Sequence, residues 1–356
     1  MNLEIMTYPV DKKDNVVPGG KYSFHPYGKS CAAAITVAKT GGVCVLCTKL
    51  ADDMNGNRLK KYYEACGVGT GAITLTNEAQ TGFSVTTYDG TGICEHVVSK
   101  GANVLMTKKD VDEAFGTFPD FFLVPQEDLL SPDFSFESTS DVKASVKPSS
   151  TDETSAIPSS ISDAEEQTAA SNVTDPRGRN NLALYACNKA MEKKVDMIVD
   201  YDSAAASLPL SSFSGIKALI ISDDALYRVT GFYPNSDDRI KRSLVSLSSK
   251  IHAKYYVVHL ANKAVFVYDG NAFERIDAPK ELEELVKTDS FPKMKETFVG
   301  AFITEYMATK NVVRASIYAM ITSLLTKSND GVLEHVPTKA EVDEIIKEKG
   351  INTLKW

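Results

Sequence analysis

Residues 288–309 read TDSFPKMKETFVGAFITEYMAT, a loop that opens a long helix. Pro292 suits the first helical position, where its missing N–H costs nothing. Phe298, Phe302 and Tyr306 recur at i, i+4 and i+8 and mark a buried stripe. Free N–H groups and the dipole make a helix N-terminus a natural anion site. Glu296 stands in the first turn, where it is a candidate general base beside a bound phosphate. The same spacing also fits a capped core helix carrying an ordinary first-turn glutamate.

The flanking chain alternates helix and strand. Residues 182–194 read as a helix, 195–199 as a strand ending at Asp200, and 216–221 as a strand ending at Ser222-Asp223-Asp224. A helix over 237–250 follows, then strands over 255–259 and 264–268 around Ala261-Asn262-Lys263, and a helix over 312–325. Pro337 followed by Thr338-x-x-Glu341 is a capping box that opens the last helix. This alternation predicts an α/β fold, a mostly parallel sheet with helices on both faces. Ligands of such sheets sit at the carboxyl ends of the strands, so Asp200, Asp223 and the Glu296 helix start are expected to cluster there.

In the first half, residues 1–20 carry little pattern. Residues 21–38 pass from an extended piece through a turn at Gly28 into an Ala-rich helix that ends at Gly41-Gly42. The apolar run 43–47 predicts a short strand, 52–56 a turn, and 57–66 a helix. Gly67-Val68-Gly69-Thr70-Gly71 follows a helix, which is the wrong context for a dinucleotide fingerprint, so it reads as a C-cap and loop. Residues 81–98 alternate and turn at 88–92, a β-hairpin. Thr107-Lys108-Lys109-Asp110 starts a helix, and 121–124 is a buried strand.

Composition narrows the function classes. No apolar run approaches the roughly 20 residues of a membrane span. The opening residues lack the basic and apolar regions of a signal peptide, so a cytoplasmic location is expected. The net charge of −8 is concentrated: residues 131–175 hold nine acids and two lysines, 2 − 9 = −7, and 17 of those 45 residues are Ser or Thr. The remainder is close to neutral, with no basic face for nucleic acid. Residues 131–179 cannot bury enough apolar surface to offset ordering entropy and are expected to form a disordered insertion. It separates two parts of one domain, 1–130 and 180–356. Cys44 and Cys47 form a CxxC with no second pair, and buried structural thiols are the expectation. The five histidines show no metal-ligand spacing.

In this order the pieces resemble the ribokinase, or PfkB, family of carbohydrate kinases. Residues 21–42 are similar to the family's sugar-binding turn and helix, Asp53-x-x-Gly56 to its next motif, and Gln80-Thr81-Gly82 with the hairpin at about 81–98 to its sugar-covering lid. Gly101-Ala102-Asn103, Thr107 to Val111, Thr230-Gly231, the helix core Phe298-Val299-Gly300-Ala301-Phe302 and Val336-Pro337-Thr338 match further family motifs. The resemblance implies a ribokinase-like fold with a small β lid, ATP and Mg2+ as cofactors, and a sugar or nucleoside as substrate. It implies substrate contacts at Gly28, Lys29 and Asn103, magnesium at Asp223, and nucleotide contacts at Asp223 and Asn262; in an active kinase Lys293 and Lys295 would neutralise the phosphates. Family members often dimerise through the lid, so 81–98 is a candidate homodimer surface.

The chain departs from the family where the chemistry lies. Where the family opens its signature helix with Gly-Ala-Gly-Asp, this sequence reads Lys293-Met294-Lys295-Glu296. Close approach of backbone to an anion favours residues without Cβ, and lysines are flexible point charges, unlike a fixed cradle of amides. The sugar turn reads Tyr27-Gly28-Lys29-Ser30-Cys31-Ala32 and lacks the family's asparagine; the nucleotide loop at 260–264 lacks its glycines. The family's first-strand aspartate has no counterpart. Two readings follow: a relative impaired or inactive in phosphotransfer that binds a ligand or partner, and an active ATP-dependent kinase with Glu296 as base.

Overall fold

The computed structural model describes residues 2–9, 19–88, 94–125, 182–201, 211, 213–260, 263–283, 294–329 and 332–351. The acidic segment 131–179 and the residues Asn262, Pro292 and Lys293 lie outside them.

The main sheet has strand order β12-β11-β10-β9-β8-β7. Its strands are β7 (Phe121–Pro125), β8 (Asp196–Tyr201), β9 (Ile216–Ser222), β10 (Ala253–Leu260), β11 (Ala264–Tyr268) and β12 (Phe273–Asp277). The first four run parallel and the last two are antiparallel. Alternate side chains serve two cores, because successive residues of a strand point to opposite faces. Ala218, Ile220, Val257 and Val265 pack with Phe298 and Phe302 of α7 (Met294–Thr309) and with α8 (Val312–Leu325). Leu219, Ile221, Val258 and Phe266 pack against α3 (Lys108–Phe115), α4 (Leu182–Glu192), α5 (Asp223–Thr230) and α6 (Asp237–Lys250). Strands with both faces covered read as continuous apolar runs, which is why 216–221 is legible without alternation.

Helix α7 is buried all round: Phe298, Val299, Ala301, Phe302 and Ile303 are fully enclosed. The predicted stripe is a stack, with ring centroids of Phe298 and Phe302 6.3 Å apart and of Phe302 and Tyr306 5.7 Å apart. The opposite side of α7 lies on α1 (Lys29–Lys39). The approach is close enough to require glycine: a Cβ on Gly300 would stand 2.4 Å from the Ala33 carbonyl oxygen. Gly28, ahead of α1, has φ 140°, backbone that favours glycine, and its carbonyl accepts the first helical N–H bonds from Cys31 and Ala32.

A second sheet of order β2-β1-β5-β6 contains the predicted hairpin, β5 (Thr81–Tyr88) against β6 (Cys94–Gly101). It also contains β1 (Asn2–Pro9), parallel to β5, and β2 (Gly19–Tyr27). The early chain is therefore not patternless: β1, eight residues long, pairs with β2 and with the sequence-distant β5. Asp53 ties the lid to the body. Its carboxylate caps α2 (Met54–Ala65) through the Gly56 N–H at 2.7 Å and also accepts the Thr81 N–H at 2.9 Å. The helix thus starts three residues before the expected 57, inside the predicted turn.

One strand is displaced from its expected place. Residues 43–47 make only an isolated bridge, Val45 to Gly69, and Val43 is 93% exposed. The strand is β3 (Thr48–Ala51), parallel to β4 (Ile73–Thr76), with Leu50 in a third core beside Leu59 and Tyr63. Leu46 of the predicted segment does pack in that core, but the continuous ladder to β4 begins only at Thr48. Strand β13 (Lys327–Asn329) pairs with β14 (Val332–His335), and α9 (Lys339–Glu348) begins with the predicted Thr338–Glu341 capping box.

Candidate functional site

The carboxyl ends of β8, β9 and β10 meet the first turn of α7. Asp200 sits near the end of β8, and His259 at the end of β10 stands opposite Ser222, the last residue of β9. Lys295 and Glu296 come from the first turn of α7. The Lys295 ammonium is 2.6 Å from Asp200 Oδ1, a charge pairing off the hydrogen-bonding direction, and Nζ donates a directed bond to the Tyr201 carbonyl at 3.1 Å. Asp200 is buried and the Lys295 side chain nearly so.

Glu296 is only 4% exposed, and its Oε2 has no hydrogen-bond partner among the described residues. Burial pushes its carboxyl up to about 7, and the nearby Asp200 charge adds to the rise. Its own backbone N–H, Lys29 and Lys295 pull the other way. His259 is buried with its ring 4.8 Å from that of Phe298, and Nε2 lacks a partner among the described residues. Burial, then the Lys295 ammonium, depresses its pKa to about 4, so the imidazole is neutral at physiological pH.

The structure therefore brings Asp200, Glu296, Lys295 and Lys29 into one electrostatic neighbourhood. Asp223 is the first residue of α5, half-buried, and its carboxylate accepts the Asp224 N–H at 2.9 Å. Asn103 donates to the Lys100 carbonyl at 2.6 Å and accepts from the Thr48 hydroxyl at 3.2 Å, which fastens the lid base to β3. Lys293 and Asn262, expected at the nucleotide, lie outside the described residues. The residue that sequence reasoning passed over is His259, counted as one of five scattered histidines. Its position at the end of a core strand facing the signature helix was the available signal.

The CxxC thiols serve the frame. Cys44 and Cys47 donate to the carbonyls of Ala34 at 3.2 Å and Asp110 at 3.6 Å, and burial pushes each thiol up to about 11. Thiols so poorly ionised make weak nucleophiles and weak metal ligands. Magnesium would need free carboxylate oxygens. Asp200 is already paired with Lys295, Glu296 is about half protonated near neutral pH, and the described residues hold no group of three or more His, Cys, Asp and Glu suited to a metal ion. The described residues do not form a protein-made cage for the ion. No described helix is long and apolar enough to cross a membrane.

Comparison with known proteins places the fold. The ribokinase of Arabidopsis thaliana, solved with ribose and ATP, superposes with a TM-score of 0.69 at 16% identity, covering 97% of this chain and 96% of that one. The fold is thus ribokinase-like, that of a family of sugar kinases. Among curated proteins, the bifunctional ribokinase/ribose-5-phosphate isomerase A of Fructilactobacillus sanfranciscensis is 32% identical over 113 residues, covering 29% of this chain. The ribokinase of Dictyostelium discoideum is 28% identical over 87 residues, covering 24% of this chain. The matched stretches span 21% and 27% of these two curated relatives. No family model matches the chain.

Proposed function

We propose that this chain is a ribokinase-fold protein impaired or inactive in phosphotransfer, which retains the site as a ligand- or partner-binding module. The observation that carries this reading is the Lys295–Asp200 pair. Phosphoryl transfer is catalysed almost entirely by positioning and charge stabilisation. At the start of α7 the Lys295 charge is spent on an internal carboxylate, and the sequence has residues bearing Cβ atoms at the positions that match the family's glycines. The Arabidopsis ribokinase was solved with ribose and ATP, which supports a sugar or nucleoside and ATP as the ligands to try first. The test is calorimetry with magnesium–ATP, followed by a turnover screen of sugars and nucleosides. Binding with turnover far below the ordinary kinase range of about 1–100 s⁻¹ supports the reading. Turnover within that range for any substrate overturns it.

A second reading, an active kinase with Glu296 as base, draws on one observation. The Glu296 Oε2 is buried, unpartnered among the described residues and titrates near 7, properties that suit a general base. Glu296→Gln decides between them: an active kinase loses on the order of 100-fold or more in kcat with KM little changed.

A further inference from the structure

Besides Asp200 Oδ1, whose contact with Lys295 is a charge pairing, two enclosed polar atoms at this end of the sheet, Glu296 Oε2 and His259 Nε2, have no hydrogen-bond partner among the described residues. Both belong to buried side chains, 4% and 5% exposed. Buried polar groups in native proteins are normally satisfied, and both atoms can accept a hydrogen bond that none of the described residues donates. One mobile charge, the Lys295 ammonium, acts on both groups yet is held by the Asp200 carboxylate and the Tyr201 carbonyl of β8.

We propose that Lys295–Asp200 is an autoinhibitory clasp: in the free chain Asp200 holds the ammonium that an anionic ligand at the start of α7 must recruit in order to bind. The inference rests on reading the α7 N-terminus as the anion-binding end of the site proposed above. Three features support it. Lysine carries its charge on a flexible four-carbon stem, so the ammonium can swing without moving the helix. The pair is shielded from water, where a carboxylate competes strongly for a cation. Lys295 is on α7 while Asp200 and Tyr201 are on β8, so the contact joins the two elements that a ligand would have to enter between. A binding-competent state populated only in part lowers apparent affinity by that fraction. A ligand must therefore out-compete Asp200 before it is seen to bind.

The test compares Glu296→Gln, in which the clasp is intact, with the double variant Asp200→Asn/Glu296→Gln, in which Lys295 has neither carboxylate. Removing Glu296 from both keeps it from replacing Asp200 as the partner. Pyrophosphate binding is measured by calorimetry, with circular dichroism to confirm that both proteins fold. The clasp predicts about tenfold or more tighter binding in the double variant, and loss of that gain when Lys295→Met is added. Equal affinity in the two overturns the clasp while leaving the anion-binding reading intact. Absence of pyrophosphate binding in every form sinks both. Should the double variant fail to fold, the wild type still decides: side-chain ammonium NMR of Lys295, assigned with Lys295→Arg, must shift as pyrophosphate saturates the protein. An unmoved resonance with pyrophosphate bound overturns the clasp.

Discussion

Glu296→Gln makes the sharpest test of the site's electrostatics. The carboxyl moves from its ordinary 4.5 to about 7 in the folded chain. That span, 7 − 4.5 = 2.5 pH units, is worth roughly 3 kcal/mol at about 1.4 kcal/mol per unit. The sign follows from proton uptake. Between 4.5 and 7 the folded chain holds a proton that the unfolded chain releases, so this group's contribution is complete below 4.5 and lost as pH rises through 7. Glutamine imitates the protonated form at every pH. The stability of Glu296→Gln minus that of wild type should therefore rise by roughly 3 kcal/mol between pH 4.5 and 8. Urea unfolding across this range, at constant ionic strength and with the slope m fitted at each pH, gives the difference directly. Subtraction cancels the titrations that do not interact with Glu296. A difference that stays flat with pH refutes the claim that Glu296 is buried with a proton affinity near neutrality. The base assignment and the charge accounting of the site would fall with it.

Three further outcomes are expected. His259 is depressed from 6.5 to about 4, so its contribution is present above 6.5 and lost as pH falls toward 4; His259→Asn should remove roughly 3 kcal/mol of that acid-side loss, read from urea midpoints between pH 4 and 7. Lys295→Met leaves Asp200 buried without its counter-charge and should destabilise the chain by about 3–5 kcal/mol at pH 7 in the same assay, and a loss below ~1 kcal/mol would show that the pair is not shielded as the geometry requires. Gly300→Ala must separate α7 from α1, since the new Cβ would stand 2.4 Å from the Ala33 carbonyl oxygen; a net loss of about 1–3 kcal/mol is expected despite alanine's better helix propensity, and Gly71→Ala, with nothing within 4 Å of its Cβ, serves as the neutral control.

Much of the frame was legible. The Phe298, Phe302, Tyr306 spacing identified the buried face of α7, and the capping signatures at Thr107 and Thr338 located helix starts to the residue. Such features are local: the side chain that caps and the N–H that is capped lie within one turn, so the sequence contains the whole interaction. Asp200, Asp223 and the Glu296 helix start were expected at one end of the sheet because parallel strands bring their carboxyl ends together. The misplaced strand at 43–47 and the unread strand β1 failed for the opposite reason. Their pairing partners are distant in sequence, and register is set by which side chains a remote core accepts.

The site divides along the same line. Sequence alone determined that residues 293–296 read Lys-Met-Lys-Glu, with no glycine, because residue identity is a fact of the string. Only the tertiary structure decided what Lys295 does. Its ammonium lies against Asp200, 95 positions earlier in the chain. His259 became part of the site only through its packing against Phe298. A lysine's charge is the same wherever it is written, but its effect depends on which opposite charge shares its low-dielectric surroundings, and that neighbour is chosen by the fold.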